Sequence, residues 1–257
     1  MQTLLVSRVH GAVLEATLNR PAKKNAINSE MWAELTEVLR QARDDRSVRA
    51  LVLGGAGGAF CSGADLSGTT LSGSDTLSRM RSINEVALLL HRLPKPTIAK
   101  VSGIAAGAGC NMALGCDIII AGETARFSEI FVRRGLSVDF GGSFLLPRLV
   151  GMHKAKELAL TGEIIDAAAA KEIGLVNRVV SEEELDGVVT ELAVRLAEGP
   201  PIAMGLTKAL LNESFSRSME EALEAEALSQ TINAKTADAR EAIGAFLEKR
   251  AARFAGE

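Results

Sequence analysis

Residues 102–117 read SGIAAGAGCNMALGCD, and they follow the short apolar run TIAKVS at 97–102. That order predicts a buried strand, a turn built from glycine and alanine, and then a helix carrying Cys110, Asn111 and Met112. A second stretch repeats the plan. Residues 54–66, GGAGGAFCSGADL, follow the run RALVL at 49–53. Small residues at a strand-to-helix turn let other groups approach the backbone and leave amide N–H groups unused at the helix start, a place suited to negative charge. Either stretch alone is equally explained by tight strand–helix packing. Neither matches G-x-G-x-x-G or the phosphate loop G-x-x-x-x-G-K-[ST]. Side by side they could form two arms of an oxyanion hole, although spacing along the chain does not place them together.

The surrounding pattern is that of an α/β domain. The first 20 residues alternate as two strands joined at His10-Gly11 would. Asn28-Ser29 opens a helix with Leu35, Val38, Leu39 and Ala42 at helical spacing, and IIIAG near 118 supplies another strand. Between Ser67 and Ser78, nine of twelve residues are Ser, Thr or Gly, which reads as a mobile loop leading to a helix near 79–92. Glu-Gly-Pro-Pro near 198 breaks the chain, and the Ala-, Glu-, Leu- and Lys-rich remainder has helical periodicity. The expected organisation is a core over 1–197 and a helical region over 198–257, with no internal repeat evident.

Composition narrows the function. The 257 residues carry 29 Lys and Arg against 32 Asp and Glu, a net charge of −3, which is no footprint for nucleic acid. No apolar run reaches the roughly 18 residues that span a bilayer. The opening MQTLLVSRVHGAV lacks a basic n-region and a small-residue cleavage site, so a secretory leader is not expected. Cys61, Cys110 and Cys116 are odd in number and lack metal-ligand spacing, as free thiols in a reducing cytoplasm would be. His10, His91 and His153 are scattered, so no metal site is expected. Cys61 has no histidine near it in sequence and reads as a core residue rather than a nucleophile.

FCSGADL, GIAAGAGCNMALGCDIIIA and ALTGEIIDAAAAKEIGLVNRVV, taken with LNRPAKKNAINSEM near the start and GAFLEKRAARFAG near the end, resemble the crotonase superfamily of enoyl-CoA hydratases and isomerases. The likeness covers nearly the whole chain. It implies a crotonase (ClpP-like) fold with a repeated ββα core, a helical C-terminal region for assembly into a trimer or a dimer of trimers, and an acyl-CoA thioester as substrate. Coenzyme A would enter as part of that substrate, with no separate cofactor, no nucleic acid and no membrane involved. The backbone N–H groups of Ala64 and Ala108 would hold the thioester oxygen. The resemblance places Arg20, Lys23, Lys24, Ala26, Ser62, Asp65 and Leu66 along the coenzyme A. It also matches Phe246 and Lys249 to an F-x-x-K that reaches a neighbouring subunit's coenzyme A. Solvated charges and helix-core positions explain these residues about as well.

Hydratases of this family hold a water between two glutamates. The corresponding positions here are Asn111, which cannot take a proton at neutral pH, and Phe131. Two other carboxylates lie nearby. Glu129 sits two residues early, and reads more naturally as a solvated or interface charge. Asp139, between Val138 and Phe140 and ahead of Gly-Gly, occupies a place where some double-bond-shifting members of the family carry an aspartate. Its other reading is a turn residue, with Asp139 or Ser143 capping the next helix. One carboxylate suffices for a 1,3-proton shift, and apolar neighbours would raise its basicity. The expectation is therefore an isomerase with Asp139 as base, with hydration or idle acyl-CoA binding as alternatives. The acyl pocket is expected along the 67–78 loop, Phe131 and Phe140.

Overall fold

The computed structural model of the 257-residue chain describes residues 1–67 and 75–257, and the expected loop at 67–78 lies mostly outside them. β1 (Leu4–Val9) and β2 (Val13–Leu18) form an antiparallel hairpin whose turn places His10 and Gly11 at positive φ. α1 (Ser29–Asp44) follows, capped by the Asn28 side chain, which accepts from Met31 N at 3.0 Å. The cap satisfies one of the amides that a helix start leaves without a partner. Met31, Leu35, Val38, Leu39 and Ala42 form the buried stripe of α1.

β3 (Ala50–Gly55) is next, then α2 (Asp75–His91), which begins four residues before the start at 79 expected from sequence. β4 (Thr97–Val101) and the short β5 (Ile104–Ala106) lead into α3 (Ala108–Leu114), every residue of which is buried. β6 (Ile118–Gly122) and β7 (Arg126–Ser128) precede α4 (Gly142–Val150) and α5 (Met152–Thr161). β8 (Ile165–Asp166), α6 (Ala167–Glu172) and β9 (Arg178–Val180) complete the strands. α7 (Glu182–Ala197) starts in a capping box between Ser181 and Glu184. After Pro200 come α8 (Pro201–Glu213), α9 (Met219–Asn233) and α10 (Ala237–Glu248).

The larger sheet runs β1-β2-β3-β4-β6-β9, parallel from β2 onward. Both its faces are covered, which explains why β3 is apolar throughout rather than alternating. Leu51 and Leu53 enter one core with α1, α2 and α3, whereas Ala50 and Val52 enter the other with Leu185, Val189 and Leu192 of α7. The smaller sheet, β5-β7-β8, stands next to the start of α3 and joins the 54–66 stretch through a parallel bridge between Cys61 and Ala105. The expected α/β layered architecture is thus present, with strands from both sheets ending at the two glycine-framed turns. No helix among the described residues is long and apolar enough to cross a membrane.

Candidate active site

The two small-residue turns lie against each other. Cys61 N donates to Ile104 O and Ala106 N donates to Cys61 O, both at 2.9 Å, so residues 60–65 run beside β5. On their other side, Ile27 N donates to Gly63 O and Asp65 N to Ile27 O. Glycine is required at the crossing. A Cβ on Gly109 would stand 2.5 Å from Cys61 O, and one on Gly63, whose φ is +102°, would stand 3.0 Å from Ala106 O and 3.8 Å from Ala108 N. Ala108 is the first residue of α3, so its N–H has no acceptor within its own helix. Ala64 lies between the engaged amides of Gly63 and Asp65, and its own N–H takes no acceptor among the described residues. Proximity of the two turns, beyond reach of the sequence, is what a pair of backbone donors to one oxygen requires.

Ala64, Asp65 and Leu66 line a cavity of about 570 Å³ that Val138 and Asp139 also line. Trp32, Met80, Ile83 and Val86 make it mostly apolar. Its two carboxylates differ sharply. Hydrogen bonds from the Ser67 hydroxyl and amide, helped by the Arg20 guanidinium 2.9 Å away, hold Asp65 down at about 2. Burial alone pushes Asp139 up to about 6, and its Oδ1 is buried without a hydrogen-bond partner. Asp139 is not a helix cap. α4 begins after Gly141 with no side-chain cap, and the Asp139 carbonyl accepts instead from Gly142 N at 3.0 Å and Asn111 Nδ2 at 2.9 Å. The next residue, Phe140, has φ +49°, a strained conformation for a bulky side chain, held by burial and by stacking on Trp32 at 5.5 Å between ring centroids.

Glu129 departs from its expected character. It is 2% exposed, neither solvated nor a surface charge. Its Oε2 accepts from Asn111 Nδ2 at 3.3 Å. Burial pushes it up to about 7; hydrogen bonds from Asn111 and Cys110 oppose the rise and the Asp139 charge adds to it. No neighbour in sequence announced this: in the 3-10 helix Ile130–Arg134 that follows, Phe131 alone is buried.

The remaining expected residues divide. Phe131 and Phe140 are buried but do not line the cavity; Phe140 lies behind Trp32, and Phe131 packs beside Gly107. Trp32, Met80 and Ile83 supply walls that the sequence reading missed, since α1 and α2 reach the cavity only in the folded chain. Arg20 is engaged by Asp65 and the Ala26 carbonyl, while Lys23 and Lys24 are exposed beside Ser62, whose N–H donates to Lys24 O at 2.9 Å. Phe246 and Lys249, at the end of α10, are exposed and do not line the cavity. Cys61 is fully buried, its thiol pushed up to about 12 by desolvation, which suits a core residue and not a nucleophile. Among the described residues no group of three or more His, Cys, Asp or Glu could hold a metal.

Two abutting amide turns, of which the Ala64 turn lines the apolar cavity beside Asp139 while Ala108 and Asn111 lie outside its lining, are carried on this layered sheet as in an enzyme of the crotonase superfamily. The chain belongs to the enoyl-CoA hydratase/isomerase family, whose model matches residues 8–257. It is 39% identical to the 1,2-epoxyphenylacetyl-CoA isomerase of Escherichia coli, over the whole of both chains. It is also 39% identical to the short-chain-enoyl-CoA hydratase of Clostridium acetobutylicum, over 93% of each chain. Among solved structures, the enoyl-CoA hydratase of Bacillus anthracis superposes with a TM-score of 0.95 at 33% identity, covering all of both chains.

Proposed function

We propose that this chain is an acyl-CoA isomerase that shifts a double bond through a thioester enolate. The Ala64 and Ala108 amides hold the thioester oxygen, and Asp139 moves the proton. The observation that carries this reading is the contrast on the cavity wall: Asp65 is held at about 2 by its hydrogen bonds, whereas Asp139 is raised to about 6. Only the second is basic enough to take a proton from carbon and remain ionised near neutral pH. As the C–H bond breaks, charge gathers on the thioester oxygen, where one fixed donor typically contributes about 2.7–4 kcal/mol. Asp139 then returns the proton to the other carbon of the three-carbon unit, and no water is consumed. The E. coli relative is named 1,2-epoxyphenylacetyl-CoA isomerase, which supports an isomerase acting on a CoA thioester.

Coenzyme A enters with the substrate and no other cofactor is needed. Lys23 and Lys24 are the exposed cations that would meet its phosphates, beside Ser62 and Ala26, which both donate to the Lys23 carbonyl; Leu66 lines the cavity, and Arg20 instead braces Asp65. The assembly is a trimer or a dimer of trimers built on the region after residue 197, with Phe246 and Lys249 offered to a neighbouring copy, and its place is the reducing cytoplasm.

A second reading, enoyl-CoA hydration, has one observation in its favour: Glu129 and Asp139 are two raised carboxyls near one amide, Asn111, and such a pair can bracket a water. Separate assays on 3-enoyl- and 2-enoyl-CoA decide between them. Turnover of the 3-enoyl thioester supports isomerisation, and turnover of the 2-enoyl thioester alone overturns it. Binding across an acyl-CoA panel without turnover would mark an idle binder. Asp139→Asn is expected to lower kcat by about a hundred- to ten-thousand-fold with little change in KM.

A further inference from the structure

Glu129 is a buried carboxyl for which the proton shift has no use. It caps the 3-10 helix at Ile130–Arg134 by position only, with no side-chain cap bond. Among the described residues no cation pairs with it or with Asp139. Such a group is costly to bury unless it is neutral or matched to a partner. Its neighbours show which partner. Asn111 Nδ2 donates to Glu129 Oε2 at 3.3 Å and to the Asp139 carbonyl at 2.9 Å, so one amide ties the two segments that bear the carboxyls. Asn111 itself is fully buried one turn beyond Ala108, and Gly142 leaves room for it, since a Cβ there would stand 2.3 Å from Nδ2. Three acceptors in this cluster, Asn111 Oδ1, Glu129 Oε1 and Asp139 Oδ1, are buried without hydrogen-bond partners.

We propose that Glu129 is a positioning residue for the reaction: a second buried carboxyl, tied through the Asn111 amide to the main-chain carbonyl of Asp139, that keeps its proton while Asp139 carries the charge. This rests on Asp139 being the base. Near neutral pH the pair then carries about one negative charge, resident on Asp139, while Glu129 keeps its proton. When Asp139 takes the substrate proton, the C–H electron pair passes into the enolate and the carboxyl pair becomes neutral. Return of that proton to the second carbon restores the charge, and Glu129 neither gains nor loses one. The titratable groups facing Glu129 are Asp139 and, from α3, the Cys110 thiol, which burial raises well above its ordinary value and so keeps neutral. Asp139 is thus the charge to which Glu129 responds.

The test is pH-titrated infrared difference spectroscopy of the full chain, reading protonated carboxyl bands without substrate, alongside pH–rate profiles with 3-hexenoyl-CoA. The wild type is expected to lose two buried carboxyl protons in successive steps. Glu129→Gln, which keeps an oxygen for Asn111, should lose the upper step. Asp139→Asn should leave one step, moved to lower pH because the repelling charge is gone. A Glu129 step at the same pH in Asp139→Asn as in the wild type overturns the proposal, as does survival of both steps in Glu129→Gln. Should Glu129→Gln not fold, the Asp139→Asn titration decides alone. Loss of the rate in Asp139→Asn with uncoupled titrations sinks this inference only. Full activity in Asp139→Asn sinks the reading of Asp139 as base, whatever the spectra show.

Discussion

Glu129 and Asp139 hold their protons more tightly folded than unfolded, and that has a consequence for stability that can be measured without a substrate. Burial raises Glu129 from 4.5 to about 7. The folded chain therefore binds more protons than the unfolded one between those values, and stability falls as pH rises through that window. The contribution is fully present below about pH 4.5 and lost above about 7, and amounts to on the order of 3 kcal/mol for Glu129. Urea unfolding at pH 5 and pH 8 is expected to show wild type losing stability across the interval and Glu129→Gln losing much less. Equal slopes in the two proteins would place Glu129 in water. With Asp139 as the proposed base, catalysis runs the other way: proton exchange should rise with pH through about 6, as Asp139 ionises. Asp139 was readable because its apolar neighbours are adjacent in sequence. Glu129 was not, because what buries it is α3, Cys110 and Asn111 above all, which meets it only through the β5–β7 pairing.

At the scale of elements, the strands and helix starts were readable because periodicity and caps are local. The hairpin at His10-Gly11, the Asn28 cap and the β3, β4 and β6 runs all follow from neighbours within a few residues. The crossing of the two turns was not readable, since it depends on Cys61 pairing with Ala105, 44 positions along the chain by their numbers. That crossing predicts the effect of a single methyl group. Gly109→Ala puts a Cβ 2.5 Å from Cys61 O and 2.7 Å from its Sγ, and Cys61 is fully buried. The 60–65 segment and α3 must separate, at a cost of typically about 1–3 kcal/mol. Because Ala64 and Ala108 lie on the two sides, the proposed pair of donors to one oxygen is pulled apart. Thermal unfolding and turnover of Gly109→Ala should therefore both fall, kcat more than KM, since the oxygen's charge develops only in the transition state. An unchanged kcat in a destabilised variant would separate packing from the hole.

At the scale of the molecule, the last two helices are built for a surface they do not have within one chain. Leu223, Leu228 and Ile232 of α9 and Ile243, Phe246 and Leu247 of α10 are at least half exposed, Phe246 at 81%. The buried residues of these helices are few and include polar groups, Ser229 on α9 and Asp238 on α10. Asp238 is spent on the chain's own end, accepting from the amides of Ala255 and Gly256, so the tail is anchored while the apolar residues stay outward. A helix places its apolar side against something, and outward apolar patches of this extent mark contact with another molecule. The cover we propose is a second copy of the chain, in the trimer or dimer of trimers inferred for the region after residue 197. The sequence showed the helical periodicity but not the facing, because a periodic stripe looks the same whether it meets its own core or a neighbour's. Charge at the centre of the stripe is the direct test. Phe246→Glu with Leu247→Glu removes apolar contact and adds two like charges to every copy, while on the isolated chain those positions face water and should tolerate the change. Sedimentation at micromolar concentration is expected to show an assembled wild type and a dissociated double variant with retained helix content. A wild type that sediments as a monomer would leave the stripe without a partner of its own kind.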